Sequence, residues 1–299
     1  AGFERAIARV NRAAQASGML LLGFGIQPRT PPSDSLLTLR RHYRALREAA
    51  GRPWLRLTTT ASDQLHVDIQ RSEITQAVNG MNLLSGPLIA LCANSSVYAG
   101  RSGRYLAGRE RLLAELGEER YGMPPRRFRT PLEWIEYLCE FRCFVLPEAG
   151  GFRRVDRPFT EVVREAGQGG GPFEQLFQSF LWHEHYVWSS ARARAAHSTI
   201  EVRPACQQPP GESMAANALI LGWVETLEET AGWLSEALGA DPWPAMIRYR
   251  RAAVRDGLRA AEPTPGWLAN LVEVARAGLK RRGRGEERLL APIDRRLAS

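Results

Sequence analysis

Residues 197–204 read HSTIEVRP. In an extended backbone successive side chains point to opposite faces, so His197, Thr199, Glu201 and Arg203 share one side while Ile200 and Val202 share the other. A carboxylate and a guanidinium then stand about 7 Å apart on one face, with apolar residues behind them. A half-buried sheet with a solvated outer face accounts for this alternation, and so does a sheet whose polar face is a site.

The pattern recurs upstream. In LRLTTTASDQLHVDIQ (55–70), Arg56, Thr58, Thr60, Ser62, Gln64, His66, Asp68 and Gln70 fall on one face, and Leu55, Leu57, Leu65, Val67 and Ile69 on the other. The spacing predicts a strand over 55–70. Around these two segments, apolar residues at helical intervals predict a helix over 2–17 that stops at Gly18, with Phe3, Ile7 and Val10 on its apolar stripe. MLLLGFGI (19–26) reads as a buried strand, and Ser33 or Asp34 as the cap of a helix over 35–50. Helices are expected over 71–93, 103–117, 132–140 and 173–188, a strand over 141–147, and a flexible GQGGG at 167–171. From 213 onward the pattern is helical: 213–238, 243–260 and 266–281. Strands separated by helices, with helices collected at the end, predict an α+β domain whose sheet keeps one polar face. Residues 1–210 form its sheet-and-helix region and 211–299 its helical C-terminal region.

Composition narrows the function classes. The 299 residues are 44% hydrophobic, enough for a sizeable core, and no apolar run approaches the ~20 residues of a membrane span. The charged N-terminal stretch lacks the apolar region of a secretory signal. Cys92, Cys139, Cys143 and Cys206 show no paired CxxC spacing, which points to a reduced, cytoplasmic chain without a zinc site. The net charge of +8 invites a nucleic-acid reading, but Lys280 is the only lysine and LKRRGRGEERLL (279–290) carries no stacking aromatics. No nucleic-acid partner is expected, and an arginine-rich RNA-binding protein is the weakest alternative. Phosphate-binding glycine loops, nucleophile elbows and the HExxH spacing are absent; His183 and His185 of WHEHY lie two apart and face different ways on a helix.

The two polar strand faces remain. A carboxylate with a neutral imidazole, Glu201 and His66, suits a divalent cation such as Mg²⁺. Arginine beside them, as Arg203, suits a phosphate or carboxylate. Together these residues read as a site for magnesium and nucleotide phosphates, or as an ordinary solvated sheet face.

Three stretches, TASDQLHVDI (60–69), ALCANSSVYAGRSGRYLAGR (90–109) and ARARAAHSTIEVRPACQQPP (191–210), resemble in order and separation the signature segments of the glutamate-cysteine ligase family, in particular its bacterial carboxylate-amine ligase branch. The similarity runs from about Leu20 to Leu238. It implies a glutamine-synthetase-like fold, an antiparallel sheet over ATP, Mg²⁺ and an amino-acid substrate, with helices on the other side. The family's chemistry activates the γ-carboxylate of glutamate as an acyl phosphate, which cysteine or another amine then converts to an amide, as in glutathione biosynthesis. Matched position by position, Glu201 and His66 fall on metal ligands, Arg203 on the arginine that contacts the transferred phosphate, and Arg192 on the one that holds the substrate carboxylate. Arg194 is second choice for that role, and Gln64, Asn94, Ser95 and Arg109 match positions near the substrate. Ser96 stands where the family has proline. The family's acidic leading strands have no counterpart, Glu4 being the only acid in the first thirty residues. The resemblance therefore implies a copy incomplete at its N-terminus, and a member that binds without turnover is the alternative to an enzyme.

Overall fold

In the computed structural model, which describes residues 2–117 and 119–299, the chain opens with helix α1 (Gly2–Ala16). Ile7 and Val10 on its expected stripe are exposed, and the Phe3 side chain lies outside the described residues. The buried strand expected over 19–26 does not form: Met19 is 59% and Leu20 78% exposed, and only Ile26 pairs, in a bridge to Thr60. The segment is held by other means. Asn94 Nδ2 donates to the Gly23 carbonyl at 2.6 Å, and Gly25 lies so close to Cys206 that a Cβ would sit 2.8 Å from its sulfur.

Helix α2 (Arg41–Ala50) begins later than expected because Asp34 does not cap it; its carboxylate instead takes the Arg47 guanidinium at 2.8 Å. The long strand predicted over 55–70 shrinks to β1 (Leu65–Asp68). Residues Arg52–Thr59 coil into a tight helix opened by Pro53, burying Trp54, Leu55 and Thr59 at helical rather than alternating intervals. The helix expected over 71–93 forms as α3 (Ile74–Leu83) and α4 (Ser85–Cys92), buried throughout from Ala77 to Cys92. A small hairpin follows, β2 (Val97–Tyr98) with β3 (Arg101–Ser102), then α5 (Gly108–Leu113), shorter than the 103–117 expected, and β4 (Tyr121–Gly122). Helix α6 (Pro131–Cys139) is capped by Thr130, whose hydroxyl accepts from Glu133 N.

The expected strand at 141–147 appears as β5 (Arg142–Glu148), joined by an unforeseen partner, β6 (Gly151–Pro158), in an antiparallel hairpin. Helix α7 (Phe159–Gly169) takes in the first three residues of GQGGG and stops at Gly170, whose φ of 63° suits only glycine comfortably. Helix α8 (Phe173–Glu184) ends four residues early to make room for β7 (Trp188–Ser189), which pairs in parallel with β4. Strands β8 (Ala191–Arg194) and β9 (Thr199–Val202) complete the set.

Helices α9 (Ala215–Val224), α10 (Leu227–Leu238), α11 (Trp243–Asp256), α12 (Trp267–Arg282) and α13 (Ala291–Leu297) form the helical C-terminal region. Helices α9 and α12 cross backbone to backbone: a Cβ on Gly222 would meet the Ala275 carbonyl at 2.3 Å. The observed class is therefore mixed, helices with small, mostly antiparallel sheets. Among the described residues no helix is long and apolar enough to cross a membrane.

The central sheet has the order β1-β9-β8, antiparallel throughout. Its buried face carries Val67, Ile200 and Ala193 in one row and Leu65, Val202 and Ala191 in the next. This face packs on the core built by α3 and α9. Asn82, fully buried on α3, donates to the Ala191 carbonyl at 2.8 Å and accepts its N–H at 3.1 Å, satisfying the outer edge of β8.

Candidate active site

The strand register assembles the polar face. His66 lies opposite Glu201, and Glu201 opposite Arg192, so an imidazole, a carboxylate and a guanidinium form one row across three strands. Side chains two apart share a face, which adds Gln64, Asp68, Arg194, Thr199 and Arg203 to the same side.

Glu201 is the centre. Its Oε2 accepts from Arg192 Nε and from Arg194 Nη1, both at 2.9 Å; its Oε1 accepts from Arg192 Nη2 at 3.3 Å and from Arg203 Nη1. Burial by itself would raise the Glu201 pKa, but Arg192, Arg203 and Arg194 overwhelm it and hold the carboxyl well below its usual range. Arg192 is pulled down to about 9 by burial first and then by its neighbouring arginines. Its donors are spent: Nη1 faces the carbonyls of Glu184, His185 and Val187 at 3.0, 2.8 and 2.6 Å. Arg203 uses Nη1 alone, on Glu201 and, at 3.4 Å, on Gln64, while its Nε is buried without an acceptor. His66 Nδ1 meets Thr199 Oγ1 at 2.9 Å and its Nε2 lies 3.8 Å from Glu201 Oε2. Burial, outweighing the pull of Glu201, lowers its pKa, so the ring is neutral near pH 7.

Asn94, Ser95 and Arg109 form a separate constellation. Asn94 Nδ2 also donates to the Gln207 carbonyl, at 3.0 Å; Ser95 Oγ accepts from Arg109 N at 3.0 Å and meets Cys206 Sγ at 3.3 Å. The buried Arg109 guanidinium is held by Glu110 at 2.6 Å, which Arg250 and Tyr121 also engage. These three residues brace the chain that leaves β9, and their bonds run to it and to α5 and α11 rather than to Glu201.

Glu184 of WHEHY belongs to the Glu201 cluster, a role that no spacing in the sequence marks. It is buried, and its Oε1 lies 3.4 Å from Arg194 Nε. His185 Nδ1 meets Arg194 Nη2 at 3.3 Å. His183, by contrast, is structural: its Nε2 meets the Leu138 carbonyl at 2.8 Å and its ring stacks on Phe159.

Three guanidiniums stand against the carboxylates of Glu201, Asp68 and Glu184, so the charges on the face balance and its uncommitted guanidinium donors can meet anions. For a cation it offers two donors, Glu201 and His66, close enough to share one ion; among the described residues no group of three or more His, Cys, Asp or Glu could hold a metal. Magnesium commonly takes one or two protein ligands and completes its shell with water and substrate phosphates, so this pair fits it as a partial site. All four cysteines are free and buried.

A model of glutamate-cysteine ligase family 2 matches residues 1–299. A protein of Rubrobacter xylanophilus named "Putative glutamate--cysteine ligase 2-3" is 34% identical over 216 residues, 71% of this chain and 48% of that relative. The chain thus spans about half the length of the curated relative it matches.

Proposed function

The chain belongs to glutamate-cysteine ligase family 2, and on that premise we propose that its three-stranded sheet is the working face of an ATP-dependent ligase that forms an amide on the γ-carboxylate of glutamate. The observation that carries this reading is the Glu201 carboxylate held among Arg192, Arg194 and Arg203 on one sheet face. Such a face draws together the anions the reaction needs close, a carboxylate and the phosphates of ATP, which otherwise repel. The sheet fits part of a glutamine-synthetase-like fold, with 1–210 and 211–299 as one domain.

In the proposed reaction the γ-carboxylate oxygen attacks the γ-phosphorus, the bond to ADP breaks, and an acyl phosphate forms. An amine then attacks the carbonyl carbon, phosphate leaves, and the nitrogen loses a proton. Arg203, with Nε lacking an acceptor, contacts the phosphoryl group in transfer. Arg192 holds Glu201 in place, and Arg194 takes the substrate carboxylate more readily because fewer of its donors are committed. Gln64 orients Arg203. Glu201 and His66 would hold Mg²⁺, with Arg194 yielding its share of Oε2, the carboxylate oxygen nearest the imidazole, and the ion would supply neutralisation of phosphate charge. Asn94, Ser95 and Arg109 act from one remove by bracing the chain after β9. Cysteine or another amine is the acceptor.

The natural full-length protein should release ADP only with glutamate, an amine and Mg²⁺ present. Glu201→Gln or Arg203→Ala should lower kcat/KM roughly a hundredfold or more. Absence of ADP release with every amino-acid pair overturns the enzyme reading. The second reading, a member that binds nucleotide or amino acid without turnover, is favoured by the guanidiniums that already occupy Glu201. Calorimetry showing ATP binding, with no ADP formed, would establish it.

A further inference from the structure

Two buried carboxylates, Glu201 and Glu184, share the guanidinium of Arg194, and they share it unequally. Glu201 is crowded: Arg192 Nε and Nη2, Arg194 Nη1 and Arg203 Nη1 all converge on its two oxygens. Four donors fill the roughly four acceptor sites of a carboxylate. Glu184, at the end of α8, is less well served. The Ala195 backbone N–H bonds it, and its Oε1 meets Arg194 Nε at 3.4 Å, against the 2.9 Å that joins the same guanidinium to Glu201. A charge-assisted contact of this kind is ordinarily about 2.7–2.9 Å long, so the one to Glu184 can still shorten.

A cation shared by Glu201 and His66 must displace a donor from Oε2, the carboxylate oxygen 3.8 Å from His66 Nε2. Arg203 bonds the other oxygen. Arg192 is fixed, because its Nη1 meets the carbonyls of Glu184, His185 and Val187 and its remaining donors go to Glu201. Of the three arginines, Arg194 combines a bond to Oε2 with a second carboxylate within reach. His185, the neighbour of Glu184 in the chain, holds the guanidinium from the same side. A guanidinium has donors only, so His185 Nδ1 accepts from Arg194 Nη2 at 3.3 Å, and burial lowers the ring's pKa to about 4, which keeps it neutral.

We propose that Glu184 is a positioning residue that receives Arg194 when a divalent cation takes Glu201 Oε2. Arg194 Nε then closes on Glu184, Nη2 stays on His185, and Nη1 is released for a substrate carboxylate. Without Glu184 the guanidinium would be left buried and without a counter-charge, which is costly, so it would stay on Glu201 and compete with the cation. This inference rests on the reading of Glu201 and His66 as a magnesium site and adds to it the residue that clears the site.

The test is Mn²⁺ binding to the natural full-length protein without nucleotide or amino acid, read from the electron paramagnetic resonance signal of the free ion. Glu184→Gln should weaken binding roughly tenfold or more, because Arg194 then has no second carboxylate. Glu184→Asp, which keeps the charge, should lose less. Arg194→Met removes the competitor and should bind Mn²⁺ at least as tightly as the unmodified protein, and so should the variant carrying both Glu184→Gln and Arg194→Met. A merely structural role for Glu184 would leave the loss in place in that double variant. Unchanged Mn²⁺ binding in Glu184→Gln, a loss that the double variant keeps, or no Mn²⁺ binding by the unmodified protein overturns the proposal. Mn²⁺ binding indifferent to Glu184, together with ADP release, would sink this inference and leave the ligase reading standing. The expected pattern of Mn²⁺ affinities without ADP release under any condition would do the reverse.

Discussion

Glu201 and His183 show how burial and partners decide what a titratable residue does. Glu201 is surrounded by guanidiniums and stays ionised, whereas His183 has only a carbonyl and a stacked ring, and burial pulls its pKa down to about 4. His183 therefore folds neutral. In the unfolded chain it takes a proton near pH 6.5, so its contribution to stability is full above that pH and is lost as pH falls from 6.5 toward 4, by about 3 kcal/mol for a single histidine. Urea unfolding between pH 7 and pH 4.5 should show this loss, and His183→Gln should flatten that part of the profile. At this scale the sequence exposed Glu201, Arg203 and His66 through alternation. It did not expose Glu184, because a helix-terminal glutamate between two histidines has no pattern of its own.

At the scale of the element, the strands show how little of a sheet is local. Both polar-faced strands were legible, yet β1 is four residues long where alternation ran to sixteen, since Pro53 and the buried Trp54 turn the first half into a helix. β8 carried no strand signal in ARAR, where alanine and arginine both favour helix, and it exists because β9 and Asn82 take up its two edges. Asn82→Ala should unpair two buried backbone groups of Ala191, costing about 2–4 kcal/mol in urea unfolding. The Ala191 amide should then exchange its hydrogen faster than those of β9. Unchanged stability would mean that β8 is held by its pairing with β9 alone.

For the whole molecule, part of the positive charge is met by carboxylates of the same chain. Arg281 and Arg282, from the densest basic run, pair with Glu229, Glu225 and Glu286. Arg192, Arg194 and Arg203 are turned toward Glu201. The protein should accordingly fail to retain single-stranded RNA on a filter even at low salt, where phosphate contacts are strongest; retention that weakens steeply with salt would revive the nucleic-acid reading. The family, the α+β class, the helical C-terminal region and the pairing of Glu201 with Arg203 just past the end of β9 were all determined by the sequence, because they rest on periodicity and on contiguous motifs. Tertiary structure alone decided which donors converge on Glu201, that 19–26 is no strand, and that Asn94, Ser95 and Arg109 gather elsewhere. Convergence depends on strand register and on the burial of edges by distant residues, and neither is written in local spacing.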